Sequence, residues 1–328
     1  MRRRELLGGL YCVLAWPLTA AAQQAARTPR VAVLIAGEES DRDVQARLSG
    51  LTQGLERLGW KDGRNIQVDY RFAEGRPDRF QSLAKELIAL QPDVIVAQTP
   101  PVVAAFQRET DKIPIVFVDA SDPIGAGFIA SVARPGANIT GMLSIEPSIV
   151  GKWLAMLKEV APNLSRVMLL GNSKTTAFDF FLRSAAAIAP SLDFNLVPQQ
   201  VTSAADLESA TEAFAHTSDA GLMILPDATI LVLRERVIAL ALQHRLPAVY
   251  PFPSFVRAGG LMSYGFDYVH EYRLAASSID HILHGAKPSD LPAQAPTKYE
   301  MVLNLKTAKA IGLTVPSGLL VAADEVIE

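Results

Sequence analysis

Polar and aromatic side chains follow the short apolar runs of this chain, at the points where each run ends. Hydroxyl, amide and carboxylate groups gather there beside Phe, Tyr and Pro, as in a small-molecule cleft whose apolar walls carry affinity and whose polar groups fix orientation. Alternatively, such residues stand there only as helix caps and turns. The recurrence of such loops along both halves of the chain favours binding. The predicted ligand-binding residues in these loops are Gly37, Glu38, Gln98, Thr99, Pro100, Asp119, Ser121, Asp122, Asn172, Asp227, Tyr250, Phe252 and Ser254.

Motifs for catalysis or cofactor binding are mostly missing from the sequence. It contains no G-x-S-x-G elbow, no H-E-x-x-H metal motif and no complete phosphate-binding loop. Residues 125–130 match a dinucleotide fingerprint formally, but residues 121–123 separate them from the preceding strand. Because that fingerprint turns directly off a strand, we do not interpret these residues as a nucleotide site.

The histidines give no clear metal or acid–base set. His281 and His284 precede Gly285 at a predicted helix end, where the helix dipole favours histidine. We therefore predict no catalytic residue, no metal and no cofactor. A secreted α/β enzyme with Asp122 or Asp227 as a base is an alternative, but no nucleophile–base pair supports it.

The elements that must position these residues alternate between strands and helices from residue 30 onward. Leu48, Leu51, Leu55 and Leu58 recur at helical spacing before Gly59 ends the helix. Strands are predicted at 31–35, 66–70, 94–97 and 113–118, and helices at 78–90 and 101–109. Continuous apolar strands separated by helices predict a parallel sheet with helices on both faces.

A second series of the same kind follows. Its predicted strands are 166–170, 194–201, 221–225, 247–250, 261–264 and 299–305, and its helices are 147–159, 175–189, 204–216, 229–244, 268–284 and 306–312. We predict an α/β fold with two Rossmann-like lobes of parallel sheet. Lobe 1 is predicted to contain residues 30–141 plus 262–290, and lobe 2 residues 142–261 plus 291–328.

The first 22 residues predict an export signal peptide. Arginines at positions 2–4 precede an apolar stretch at 6–18, and three alanines at 20–22 resemble a cleavage site. General secretion and the twin-arginine route both fit. Cys12 is the only cysteine, so a processed chain of 328 − 22 = 306 residues has no thiol. Disulfides, thiolate catalysis and Cys-ligated zinc are thereby excluded.

Composition restricts the class of protein further. The chain has 49% hydrophobic and 20% charged residues, which indicates a folded globular protein of two domains. Its 31 Lys and Arg against 34 Asp and Glu leave a net charge of -3. Nucleic acid is therefore not expected as a partner, since no excess of basic residues is available to neutralise phosphates.

Several stretches carry a family resemblance across nearly everything from residue 30 to 328. These stretches are residues 70–75, 113–117, 122–123, 134–141, 250–251, 259–265, 296–298 and 304–310. Through them the chain resembles periplasmic substrate-binding proteins of bacterial ABC transporters, in the group related to the aromatic-amino-acid (tryptophan/tyrosine) binding components, a branch of the type I periplasmic binding fold.

The resemblance implies a two-lobed protein whose hinge is crossed three times, near residues 140–144, 259–263 and 288–296. It implies a cleft that closes on one small ligand, because ligand contacts to both lobes favour the closed population. A membrane permease would then recognise the closed form. We expect a periplasmic protein that acts as a monomer.

By the same resemblance, the binding loops match Gln98, Thr99, Pro100, Ser121, Asp122 and Asn172, with Asp227, Tyr250 and Tyr264 on the other segments. Thr99 and Ser121 hydroxyls, with N–H groups at a helix start, suit a carboxylate. Asp122 or Asp227 suits an ammonium, and Tyr250, Phe252 and Tyr264 suit an apolar or aromatic side chain.

Two departures from the family pattern affect the ligand prediction. Many relatives have an acidic residue preceded by a basic one after the Tyr-Pro strand, whereas this chain has Pro253 and Ser254. The loop at residues 37–39 is also more acidic than usual. The predicted ligand is an amino acid or a related carboxylate, aromatic or branched. A periplasmic sensor that serves a receptor instead of a permease is an alternative with the same binding chemistry.

Overall fold

Two β-sheets with surrounding helices make up the part of the chain that the computed structural model describes, residues 27–144, 146–216 and 219–328. The predicted signal peptide at residues 1–22, with Cys12, lies outside the described residues. Buried apolar runs form strands of these sheets. In β1 (Arg30–Ile35), for example, the five residues from Val31 to Ile35 are at most 1% exposed.

Lobe 1 is built around a five-stranded parallel sheet in the order β2-β1-β3-β4-β5. Apolar clusters cover both of its faces, as the sequence predicted. The chain enters this lobe as β1 (Arg30–Ile35), α1 (Arg42–Arg57), β2 (Gln67–Phe72), α2 (Phe80–Ala89), β3 (Val94–Gln98), α3 (Pro100–Gln107), β4 (Ile115–Ala120) and β5 (Ile139–Leu143).

Lobe 2 follows directly. Its elements are α4 (Pro147–Val160), β6 (Arg166–Gly171), α5 (Phe178–Ile188), β7 (Asn195–Gln200), α6 (Ala204–Phe214), β8 (Ala220–Ile224), α7 (Ala228–Val232), α8 (Arg234–Gln243), β9 (Ala248–Tyr250), α9 (Pro253–Arg257) and β10 (Met262–Phe266). The predicted helix over residues 229–244 is therefore two helices, α7 and α8, which meet at Leu233.

The chain then returns to lobe 1 and leaves it again. Helix α10 (Tyr268–Leu283) lies in lobe 1, and the last elements in lobe 2 are β11 (Tyr299–Asn304), α11 (Leu305–Ala310), α12 (Ser317–Ala322) and β12 (Glu325–Ile327). The lobe 2 sheet has the order β12-β11-β10-β9-β8-β6-β7. It departs from the predicted all-parallel sheet because β11 runs antiparallel to β10.

The predicted lobe boundaries are wrong at three places. Residues 262–266 belong to lobe 2, because β10 pairs with β9 and β11, so the second crossing lies at Asp267 and not at residues 259–263. Residues 142–143 and 293–294 belong to lobe 1, since Gln294 donates its N–H to Gly141 and accepts one from Leu143, at 2.9 and 2.8 Å. The third crossing therefore follows Gln294, ahead of β11.

Helix α10 packs closely on α1 within lobe 1. A Cβ at Gly54 of α1 would stand 2.7 Å from the Cβ of Ala276 and 2.7 Å from the carbonyl oxygen of Arg273. Only glycine allows the two helices to approach this closely. The first turn of α10 is thereby held beside the carboxyl ends of the strands.

Residues 27–144, 146–216 and 219–328 contain neither a membrane-spanning helix nor a metal-binding cluster. No helix there has the length and apolar character needed to cross a membrane. Within the same ranges, no three His, Cys, Asp or Glu side chains are grouped so that they could hold a metal ion.

Candidate ligand-binding site

A cavity lies between the lobes, at the carboxyl ends of the strands of both sheets. About 460 Å³ of its space lies outside protein atoms, part of it open to solvent. In open α/β sheets this is the edge at which ligands bind. Its lining consists of Gly37, Arg47, Gln98, Thr99, Pro100, Asp119, Ser121, Ser144, Thr176, Pro226, Asp227, Ala228, Leu231, Phe252 and Tyr268.

Asp119, directly before the last residue of β4, joins several elements at the cavity wall. Its Oδ2 accepts hydrogen bonds from Arg47 Nη1 at 3.1 Å, Gln98 Nε2 at 2.7 Å and Tyr272 Oη at 3.1 Å. Its backbone N–H donates to Glu271 Oε1 at 3.1 Å. Its Oδ1 is buried without a hydrogen-bond partner among the described residues. One carboxylate oxygen is therefore fully engaged and the other is free to accept.

Arg47 reaches the cavity from the inner face of α1. Its guanidinium carbon lies 4.8 Å from the ring centre of Phe252 and 4.4 Å from that of Tyr268, so aromatic rings from both sides of the cleft contact it. Burial opposes the positive charge, but Asp119, with smaller contributions from Tyr272, Tyr268 and Asp43, outweighs burial and raises the pKa of Arg47. The side chain is thus a permanent cation, only 5% exposed.

Glu271 stands behind Asp119 on α10. Burial raises the pKa of Glu271 well above its usual value, and the negative charge of Asp119 adds to this effect. A neutral carboxyl is therefore favoured there, which leaves Arg47 and Asp119 as an ion pair without a second buried anion beside it.

Thr99 occupies the junction between β3 and α3. Its φ is +70°, a conformation that a β-branched residue rarely adopts, and its Oγ1 is buried without a partner among the described residues. The predicted N–H donors at this helix start are absent at its first two positions, because Pro100 and Pro101 have no N–H. Nearby, Ser121 Oγ lies 3.3 Å from Ser144 Oγ.

Asp227 contributes to the cavity wall from lobe 2, where it caps α7. It accepts hydrogen bonds from the N–H groups of Ile230 at 2.9 Å and Asn172 at 2.8 Å, and from Thr175 Oγ1 at 2.8 Å. Burial raises the pKa of Asp227 to about 6, although these hydrogen bonds oppose the shift. Both of its oxygens are engaged within lobe 2.

The structure brings together at the cavity eight of the predicted residues: Gly37, Gln98, Thr99, Pro100, Asp119, Ser121, Asp227 and Phe252. Asn172 lies just behind them and donates through Nδ2 to Thr229 Oγ1 at 3.1 Å. Tyr250 is further back, 1% exposed and stacked on Phe255.

Four predicted residues lie elsewhere. Asp122 pairs with Arg183 across the lobes at 3.5 Å and accepts from the N–H of Gly125. Tyr264 stacks on Tyr299 near the hinge. Glu38 and Ser254 line a separate groove between the lobes.

That groove carries contacts which hold the lobes together. Arg234 of α8 pairs with Asp41 at 3.4 Å and with Asp43 at 3.1 Å, both at the start of α1. Ser254 Oγ also donates a hydrogen bond to Asp43. The structure is therefore a closed arrangement, with the cavity behind these contacts.

Sequence reasoning missed two charged residues of the site, and both share one signal. Arg47 falls between Val44 and Leu51 at helical spacing, on the apolar stripe of α1. Glu271 falls between Tyr268 and Ala275 on the buried stripe of α10 in the same way. A charged residue within an apolar helical stripe marks either a paired core charge or a binding group.

Comparison with known proteins decides the family. A family model described as ABC transporter substrate binding protein matches residues 30–327. The chain belongs to this family. Members of the family bind small ligands, work with ABC permeases and are generally found outside the cytoplasm.

Three known proteins are similar to this chain over most of its length. The chain is 24% identical over 268 residues to a tyrosine-binding protein from Clostridioides difficile (strain R20291), covering 80% of this chain and 76% of that one. A conserved domain protein from Vibrio cholerae is 30% identical, with a TM-score of 0.85 and coverage of 92% and 100%. An ABC domain from Streptococcus pneumoniae in complex with L-Trp is 24% identical, with a TM-score of 0.84 and coverage of 92% and 100%. The predicted two-lobed α/β fold is confirmed.

Proposed function

We propose that this substrate-binding protein captures one amino acid or related carboxylate in the cavity between its lobes and delivers it to an ABC uptake permease. The observation that carries the proposal is the cavity between the lobes at the carboxyl ends of both sheets, with the Arg47–Asp119 pair in its wall. A buried ion pair with unused hydrogen-bonding groups can orient a small charged solute.

The remaining wall suits an apolar side chain. Pro100, Ala228, Leu231 and Phe252 give it apolar surface from both lobes. We propose an aromatic or branched side chain for the ligand, and the tyrosine-binding and L-Trp-bound relatives support this class. Apolar walls supply affinity while the charged groups fix the orientation of the ligand.

We propose that no reaction takes place in the cavity. Its described lining contains no His, Cys or Lys side chain. Asp227, a conceivable base, engages both oxygens in hydrogen bonds within lobe 2. A general base needs an oxygen free to take the substrate proton. Asp119 Oδ1 meets this condition, and we propose that it binds the ligand instead.

The proposed setting is the periplasm, where the protein acts as a monomer after removal of residues 1–22 by the general secretion or twin-arginine pathway. Opening and closing of two lobes around one ligand requires no symmetric partner. Ligand contacts to both lobes exist only in the closed form, so the ligand itself shifts the population towards the form that the permease receives.

A thermal-shift screen tests this function. Residues 23–328 are unfolded and refolded to remove bound ligand, then heated with amino acids, aromatic acids, branched acids and sugars. Ligand at about a hundredfold over Kd adds ~2.7 kcal/mol, which raises the melting temperature by several degrees. We expect one class of carboxylate to do so. A response to no solute at all would contradict the proposed function.

A further inference from the structure

We propose that Arg47 and Asp119 recognise the two charged groups of the ligand: Arg47 binds a carboxylate, and Asp119 Oδ1 binds an ammonium. The cavity thereby selects a zwitterion over a simple acid or amine. The inference rests on the proposed function, since it assigns roles within the same cavity. It assigns the ammonium to Asp119 instead of Asp122 or Asp227, the two residues that the sequence predicted for that role.

Asp119 is suited to an ammonium because only half of its carboxylate is used. The side chain is 8% exposed, and three donors already converge on Oδ2. Oδ1 has no donor among the described residues. A buried carboxylate oxygen without a donor is unfavourable, so a charge-assisted hydrogen bond from a ligand ammonium would be correspondingly strong.

Arg47 is suited to a carboxylate because most of its donors are uncommitted. A guanidinium carries five N–H groups, and among the described residues Arg47 makes one hydrogen bond, from Nη1 to Asp119. Phe252 and Tyr268 lie against the group, which orients its fork. Such a planar fork binds a carboxylate through two parallel hydrogen bonds. Thr99 Oγ1 lines the same cavity, is buried without a partner among the described residues, and can supply an O–H donor there.

The balance of charge explains why both groups must be present on the ligand. Arg47 and Asp119 already neutralise each other in a buried place. A simple carboxylate or amine would add one uncompensated charge there, which is costly in a medium of low dielectric. A zwitterion adds none, and it supplies one partner to each member of the pair. Asp227, the other carboxylate in the wall, has no free oxygen to offer an ammonium.

The test is a calorimetric titration of refolded protein, residues 23–328, with the twenty L-amino acids. Each one that binds is compared with its deaminated acid and its carboxamide; for L-phenylalanine these are 3-phenylpropionate and phenylalaninamide. We expect each analogue to bind at least a hundredfold more weakly, since a site built for a hydrogen-bonding group rejects an analogue that lacks it.

Variants assign each half of this selectivity. In Asp119→Asn, the preference for the amino acid over its deaminated acid should fall at least tenfold, while the preference over the carboxamide persists. In Arg47→Lys, which keeps the charge but loses the fork, the preference over the carboxamide should fall at least threefold. Asp122→Asn is the matched control, because Asp122 follows the same strand but lies outside the cavity, and it should keep both preferences.

Two results would overturn the proposal. One is equal binding of an amino acid and its deaminated acid by the wild-type protein, a measurement that needs no variant to fold. The other is the absence of binding by all twenty amino acids. In the second case the thermal-shift screen distinguishes failure of this proposal from failure of the solute-binding function. A response to a sugar would rule out recognition of a zwitterion by Arg47 and Asp119 but leave the solute-binding function intact.

Discussion

Asp119 and Thr99 show how the site depends on single residues held in unusual backbone conformations. Asp119 has a φ of +53° and Thr99 a φ of +70°, both in the left-handed region that side chains other than glycine seldom adopt. Such conformations are typical of functional sites, where the surrounding structure maintains them. Here the contacts of Asp119 with α1, β3 and α10 supply that support.

Asp227 should make stability depend on pH. Its folded pKa of about 6 lies above the usual 3.8, so the folded state binds its proton more tightly than the unfolded state does. The resulting stability is fully present below pH 3.8 and is lost as pH rises through 6. A shift of this size corresponds to about 3 kcal/mol. Asp227→Ser keeps a capping oxygen for Ile230 but does not titrate, so it should lack this dependence.

Urea unfolding of both proteins between pH 4 and pH 7 measures the effect. The free energy of unfolding of wild type minus that of Asp227→Ser should decrease as pH rises from 4 to 6. A difference that stays constant over this range would show that Asp227 has an ordinary pKa.

The sequence indicated the loops of the site better than it indicated their charges. Gln98, Asp119 and Ser121 were predictable because strand ends in a parallel sheet share one edge. Arg47 and Glu271 were not, since they enter the site from helices, and the helical stripe alone does not say what lies opposite. A search for charged residues within apolar stripes would have found both.

The contact between α1 and α10 should depend on Gly54. Glycine within a helix is usually less favourable than alanine by ~1 kcal/mol. At Gly54 we expect alanine to be less favourable than glycine, because an added Cβ would stand 2.7 Å from atoms of both Ala276 and Arg273. We expect Gly54→Ala to lower the free energy of unfolding by about 1 to 3 kcal/mol, as overpacking does.

Chemical denaturation of Gly54→Ala and of a neighbouring control measures this packing. Gln53→Ala lies on the exposed face of the same helix and should change stability by no more than ~0.5 kcal/mol. Equal stability of Gly54→Ala and wild type would mean that α10 can move away from α1 without cost.

Most helices and strands followed from local periodicity, whereas their assignment to lobes did not. The apolar spacing of α1 and the bare apolar run of β1 act within a few residues. The sequence of β10 fits a strand of either lobe, and only its pairing with β9 and β11 places it in lobe 2. The sequence predicts a hinge crossing near residues 140–144, whereas pairing with β4 places residues 139–143 in the sheet of lobe 1.

At the scale of the whole molecule, the contacts of Arg234 should favour the closed form without touching the ligand. Arg234 pairs with Asp41 and Asp43 across the groove and is 18% exposed. Arg234→Gln removes these pairs, so it should weaken ligand binding about three- to tenfold by shifting the population towards the open form. Ligand affinity of the wild type should also fall with added salt, and that dependence should be smaller in the variant.

Arg236→Gln is the matched control for calorimetry in low and high salt. Arg236 lies on the same helix but pairs with Glu208 inside lobe 2, so its loss should leave ligand affinity unchanged. Unchanged affinity and salt dependence in Arg234→Gln would show that closure does not rely on these pairs.

Hydrogen–deuterium exchange with and without ligand tests most directly whether the solute is held between the lobes. The refolded protein is compared alone and with saturating L-tyrosine, L-phenylalanine or whichever solute stabilises it in the thermal screen. We predict slower exchange together at residues 98–102 and 119–121 of lobe 1 and at residues 226–231 and 250–252 of lobe 2, since ligand contacts and closure suppress local opening. Protection confined to one lobe, or located away from these strand ends, would contradict capture in the interlobe cavity.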